Sequence, residues 1–131
     1  MPILKRRDFL AAAKATTVAM PGFLLQARAR PVEHPEDAQS LRLGLTASKK
    51  VGGAVIRNRA RRRLRAIGVS KLSQLGRPGW DYVLVARATE TVSRAFDALA
   101  EELQRAIDRA HAGQSSLRRR ARSKARSRTR K

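Results

Sequence analysis

Thr46-Ala47-Ser48-Lys49-Lys50-Val51-Gly52-Gly53-Ala54-Val55-Ile56-Arg57-Asn58-Arg59-Ala60-Arg61-Arg62-Arg63-Leu64-Arg65 is the stretch on which the reading of this chain turns. It carries eight basic residues between Lys49 and Arg65 and no acidic one. Ile56, Ala60, Leu64 and Ile67 stand at the spacing of one narrow apolar stripe on a helix. Arg57, Arg61 and Arg65 form a second row, Asn58 and Arg62 a third, Arg59 and Arg63 a fourth. A helix charged on the rest of its circumference repels itself unless a polyanion takes up the charge. The pattern predicts a helix over residues 54–67 with Gly68 as its C-cap. A basic, Gly-containing loop at residues 49–53 leads into it.

Working outward, Leu41, Leu43 and Leu45 alternate with Arg42, Gly44 and Thr46, which reads as a half-buried strand over residues 41–47. Upstream, residues 7–15 read as a short helix with Phe9, Leu10 and Ala13 near one face, ended by Pro21-Gly22. Residues 23–29 read as a strand stopped by Pro31, and residues 32–40 as a polar, acidic turn. Downstream, residues 70–79 read as a connection and residues 80–88 as a buried strand. A last helix begins between Thr91 and Ser93. Val92, Phe96, Leu99, Leu103, Ile107 and Ala110 form its apolar stripe. The order is α-β-β-α-β-α, an α/β class. After Gly113 the composition changes: residues 114–131 hold nine basic residues, no acidic ones and only Leu117 of any bulk. Such a segment cannot bury enough surface to fold alone. The expected organisation is therefore one RNA-binding domain over residues 1–113 and a disordered basic tail over residues 114–131.

The whole chain agrees with a polyanionic partner. Its 131 residues allow one domain with a modest core, and 30 Lys+Arg against 10 Asp+Glu give a formal net charge of +20. Arginine predominates, and guanidinium is the better fork for phosphate and the better plate for stacking on bases. With no cysteine, a disulfide framework and a thiolate metal site are excluded. No apolar run approaches the roughly 20 residues of a membrane span, and a cytoplasmic protein is expected. Lys5-Arg6-Arg7-Asp8-Phe9-Leu10 looks like a twin-arginine export motif and Ala27-Arg28-Ala29 like a cleavage site. The segment between them carries Lys14, Thr16 and Thr17 and leads straight into a strand, which favours a first helix with an exposed basic face.

Catalytic constellations are not evident. Glu33, Glu36 and Asp37 lie beside His34 in a Pro-flanked turn and read as solvated. His111 reads as a C-terminal helix residue favourable to the helix dipole. The loop at residues 49–53 lacks the Gly-Lys-Ser/Thr ending of a nucleotide phosphate loop; a nucleic-acid phosphate at the helix N-terminus suits it better. Aromatics are only Phe9, Phe23, Trp80, Tyr82 and Phe96. Trp80, Tyr82 and Phe96 read as core, so little base reading is expected.

Residues 48–65 resemble the signature of the bacterial ribonuclease P protein subunit: the Lys-Lys-x-Gly loop, the Arg57-Asn58-Arg59 core and its Arg61-Arg62-Arg63-Leu64-Arg65 continuation. The strand before (Leu41-Arg42-Leu43-Gly44-Leu45-Thr46), the Trp80–Arg87 stretch after and Asp8-Phe9 in the first helix are similar too. The resemblance spans roughly residues 4–111. It implies a small α/β sandwich of the ribosomal protein S5 domain 2-like kind, with a left-handed βαβ crossover where sequence rules alone predict a right-handed one. It implies an accessory subunit of a tRNA-processing endonuclease whose catalytic centre lies in a large RNA. That RNA holds Mg2+, and the protein alone binds no cofactor. By resemblance, Lys49, Lys50, Arg57, Asn58, Arg59, Arg61, Arg62 and Arg65 dock on the catalytic RNA. Arg6, Phe9, Gln26, Arg28 and Thr46 hold the 5′ leader of precursor tRNA in a cleft between the first helix and the sheet. Ala13 and Gln26 stand where the family often has further aromatics, so leader binding rests more on charge, with Arg6, Arg28 and Lys49. No small-molecule substrate or membrane partner is implied. Two other readings remain: a ribosomal-RNA-binding or ribosome-assembly protein using the same helix, and an exported basic protein.

Overall fold

The computed structural model describes residues 5–31 and 40–113. Most of the acidic turn expected over residues 32–40, and all of the tail expected over residues 114–131, lie outside them. The elements run α1 (Arg6–Lys14), β1 (Thr16–Ala19), β2 (Phe23–Ala29), β3 (Arg42–Thr46), a 3-10 turn (Lys49–Val51), α2 (Ala54–Leu75), β4 (Trp80–Ala86), the one-turn α3 (Glu90–Ser93) and α4 (Phe96–His111). The sheet order is β1-β2-β4-β3. β1 pairs antiparallel with β2, and β2 with β4. β3 lies parallel to β4, and α2 makes the crossover between them.

Alternation along the strands gives the sheet two different faces. One face, with Val18, Phe23, Leu25, Ala27, Tyr82 and Leu84, meets Leu64, Ile67 and Leu72 of α2 and Leu99, Leu103 and Ile107 of α4 in the main core. Each such leucine or isoleucine, fully buried, contributes about 1.5–3 kcal/mol. The opposite face meets α1, where Ala12 and Val83 are buried and Phe9 and Val85 pack against them. The β1–β2 turn is bound to the helical layer. Glu102, buried in α4, accepts the Gly22 N–H at 2.8 Å, and the Thr91 hydroxyl donates to the Gly22 carbonyl at 2.6 Å. Gly22 is required there, because a Cβ would stand 2.3 Å from Leu99 Cδ2.

The α/β class holds, and the element list grows by β1 and α3. Pro21-Gly22 turns a hairpin where a helix end was expected. The other departures have local causes. α2 does not stop at Gly68 but continues to Leu75, with Gly76 as C-cap. Gly68 is buried inside it because Leu43 presses in; a Cβ would sit 2.9 Å from Leu43 Cδ2. Ile56, expected in the apolar stripe, is 44% exposed and lies against Gly52 of the entry loop. α1 buries Asp8 and Ala12 in place of Leu10 and Ala13, since Asp8 turns toward an arginine on the sheet. The last helix begins at Phe96. The chain breaks before it because the Thr91 side chain is taken up by Gly22 and by the Arg87 N–H, and Arg94 turns to Glu102. Phe96 is consequently 46% exposed, not core.

His111 is also differently used. Its Nε2 lies 2.7 Å from the Tyr82 hydroxyl, which accepts the Arg77 N–H at 2.9 Å and so has its proton to give. Burial lowers the His111 pKa below the ordinary value, with the Arg77 charge adding to it. A neutral ring accepting from Tyr82 replaces the dipole-stabilising cation expected from its position.

Candidate nucleic-acid interface

α2 has 22 residues and no acid among them. Its buried positions are Ala60, Leu64, Ile67, Gly68 and Leu72, which confine contact with the sheet and α4 to one side. The remaining circumference carries arginine. Asn58, Arg59, Arg62 and Arg65 are exposed, and Arg57 and Arg61 are half-buried. Arg61 reaches Asn58 Oδ1 at 3.4 Å, and Arg57 Nε is buried without a hydrogen-bond partner. Arg57, Arg59, Arg61, Arg62 and Arg65 make no ion pair among the described residues. Lys49 and Lys50 stand exposed on the 3-10 turn immediately before. All eight residues expected to dock RNA are thus on α2 or its entry turn. Arg63, between them, is different. Its guanidinium donates to the Thr91 carbonyl at 2.9 Å and to the Arg94 carbonyl, and lies over the Phe96 ring at 5.9 Å. It ties α2 to α3 and α4.

The second set lies on the α1 side of the sheet. Strand pairing sets three rows across that face: Arg28–Asp81–Arg42, then Gln26–Val83–Gly44, then Leu24–Val85–Thr46. Phe9, on α1, packs against the small cluster of Ala12 and Val83, and Val83 is the centre of the second row. Phe9, Gln26, Arg28 and Thr46 are all half-buried and share this side, while Arg6 is exposed on α1. That side of the sheet brings together an aromatic ring, an amide, a hydroxyl and a guanidinium.

The first row is an ion network that sequence reasoning missed. Asp81 has no exposed surface. Arg42 grips it with Nε to Oδ1 at 2.7 Å and Nη2 to Oδ2 at 2.8 Å, and Arg30 Nη1 reaches Oδ1 at 2.7 Å. Arg28 is loosely held, 3.9 Å from Oδ2. Arg42 Nη2 also lies 3.2 Å from Asp8 Oδ1. Burial raises the Asp8 pKa, but the Lys5 backbone N–H and Arg42 outweigh it and hold the carboxyl below its ordinary value. The hydrogen bond to Asp81 raises that of Arg42. Alternation assigns Arg42 to the face opposite the leucines, yet nothing local in the sequence marks partners 34 or 39 positions away.

Among the described residues, no group of three or more His, Cys, Asp or Glu side chains is placed to hold a metal ion. No helix among them is long and apolar enough to cross a membrane.

Known proteins agree with this geometry. The family pattern named Ribonuclease P matches residues 1–111. The ribonuclease P protein component of Ruegeria pomeroyi is 49% identical over 108 residues, covering 82% of this chain and 84% of that one. That of Erythrobacter litoralis is 43% identical over 120 residues, covering 92% and 93%. Among solved structures, the Staphylococcus aureus RNase P protein matches with a TM-score of 0.64 at 26% identity, over 82% of this chain and 93% of that one. The Thermotoga maritima RNase P protein matches with 0.67 at 24% identity, over 83% and 97%, a likeness of fold. An acid-free arginine helix crossing between parallel strands, in a chain matched over this length by these relatives, belongs to the ribonuclease P protein family.

Proposed function

We infer that this chain serves as the protein subunit of ribonuclease P, the RNA-containing endonuclease that matures the 5′ end of tRNA. The observation that carries the reading is the α2 surface, with five arginines that make no ion pair among the described residues and no acid on the helix. Arg57, Arg59, Arg61, Arg62 and Arg65, with Asn58, Lys49 and Lys50, bind the catalytic RNA, mostly through phosphates. The 5′ leader of precursor tRNA lies on the α1 side of the sheet, against Phe9, Gln26, Arg28 and Thr46, with Arg6 at the edge. A single aromatic plate there leaves charge to supply much of the grip, since stacking is worth about 1–3 kcal/mol per base. Bond cleavage is assigned to Mg2+ held by the RNA; the protein screens phosphate repulsion and positions the leader. Residues 114–131 add diffuse phosphate contacts that matter at low salt, and the cytoplasm is the compartment.

Precursor-tRNA cleavage with and without the chain tests the reading. The protein alone should cut nothing, and the RNA should depend on it most at low Mg2+. Cleavage by rigorously RNA-free protein would overturn the division of labour. Co-purification with ribosomal RNA in place of one large RNA would favour the ribosome-associated alternative.

A further inference from the structure

We propose that Asp8 and Arg42 are positioning residues for the leader cleft, setting where the Phe9 ring stands over the sheet. This rests on the leader-binding reading above. α1 has nine residues, fewer than the ~12–15 at which an isolated helix becomes even marginally stable. Its apolar hold on the sheet is small: Ala12 and half-buried Phe9 share one small cluster with Val83 and Val85. A polar anchor therefore has to complete its placement.

Asp8 supplies that anchor by dividing its two oxygens. Oδ2 accepts the Lys5 backbone N–H at 2.9 Å and closes the first turn of α1. Oδ1 takes Arg42 Nη2 at 3.2 Å and ties that turn to the sheet. The tie is stiff because the guanidinium is already fixed in a two-point fork on Asp81, whose carboxylate has no exposed surface. Asp8 thus starts the helix and docks it with one side chain. Phe9 is the next residue, so the direction of its ring follows. The anchor itself is at the Arg28–Asp81–Arg42 row, while Phe9 packs against the Ala12–Val83 cluster at the next row. Asp8 acts through Phe9 and does not line that next row.

Holoenzyme reconstituted with Asp8→Asn, Asp8→Glu, Phe9→Ala and the Asp8→Asn/Phe9→Ala double variant tests this. The readout is the ratio of precursor to mature-tRNA affinity, measured beside catalytic-RNA affinity and melting temperature. Asn keeps one carbonyl oxygen and no charge, so it serves Lys5 or Arg42 but not both. Asp8→Asn should lower the ratio about three- to tenfold with catalytic-RNA affinity unchanged, and Asp8→Glu should recover part of the loss. The double variant should lose no more than Phe9→Ala alone, because the charge has no ring left to place. An additive double variant, or an unchanged ratio in Asp8→Asn beside a lowered one in Phe9→Ala, would overturn the positioning role. So would an Asp8→Asn protein that also loses catalytic-RNA binding, since the pair would then hold the fold as a whole. An unchanged ratio in Phe9→Ala would remove the leader reading itself.

Discussion

Arginine is used in opposite ways on the two proposed binding surfaces of this molecule. On the α1 side of the sheet, Arg28, Arg30 and Arg42 gather around two carboxylates, Asp81 and Asp8, and fix how strands and helix meet. On α2, Arg57, Arg59, Arg61, Arg62 and Arg65 have no carboxylate at all among the described residues. The net charge of +20 is therefore not a uniform coat. Where geometry must be held, guanidinium is engaged by an internal carboxylate. On α2, the proposed RNA surface, the same group stands on a regular helical array with no ion pair among the described residues. The pairing state of an arginine, more than its presence, separates scaffold from interface.

The largest test of this contrast removes the centre of the paired side. Asp81→Ala leaves three guanidiniums around a buried site with no countercharge at its middle. Breaking a buried pair in this way costs about 3–5 kcal/mol, a large part of the stability of a domain this size. Urea unfolding measures it. A loss below about 1 kcal/mol would mean that water reaches the network and that the contrast is overstated.

The unpaired side should answer in the opposite currency, with affinity changed and stability spared. Arg59→Ala with Arg62→Ala should leave unfolding within about 0.5 kcal/mol of the parent. It should lower the slope of log affinity against log salt for the catalytic RNA by roughly 0.7–0.9 for each phosphate no longer neutralised. An unchanged slope would show that these two arginines are only solvated. Arg63→Ala sharpens the comparison on the same helix. Arg63 is engaged with the Thr91 and Arg94 carbonyls, so its removal should cost about 1–2 kcal/mol of stability and leave the salt slope nearly intact. If Arg63→Ala behaved like Arg59→Ala, pairing state would not predict role.

What the sequence disclosed follows the same division. The start of α2 and its arginine rows were legible because helical periodicity and an acid-free run are local signals, and β2, β3, β4 and α4 were legible for similar reasons. β1 was not, although Thr16, Thr17 and Val18 before Pro21-Gly22 carry the β-branched and turn signals of a hairpin. The extension of α2 past Gly68 was masked by reading that glycine as a stop. The spacing of Leu64, Gly68, Leu72 and Leu75 continues the helix through it, and only the close approach of Leu43 explains why glycine is there. The exposure of Ile56 and Phe96 follows from where α2 and α4 meet their neighbours, which periodicity does not contain. The Asp8–Arg42–Asp81 chain joins residues from three elements, and no local pattern marks such a contact. The α2 arginines were legible because their pattern is local and they have no carboxylate partner among the described residues; those around Asp81 were hidden because their partners lie on other elements.

The smallest expected effect concerns acid, and it too separates the two sides. The Asp8 carboxyl is held below its ordinary value of 3.8 by the Lys5 N–H and Arg42, against the upward push of burial. A carboxyl lowered in the folded state stabilises fully above its unfolded value, and that contribution fades as pH falls through that value toward the folded one. α2 carries no carboxylate that could take up a proton as the pH falls. Comparing the unfolding midpoints of the parent and Asp8→Asn removes the carboxylates common to both. The gap between them should be constant above about pH 5 and shrink below about pH 4. A gap that persisted unchanged to about pH 3 would mean that the Asp8 charge contributes nothing and that shape alone docks α1. The positioning role would then belong to the second acceptor oxygen that Asn lacks.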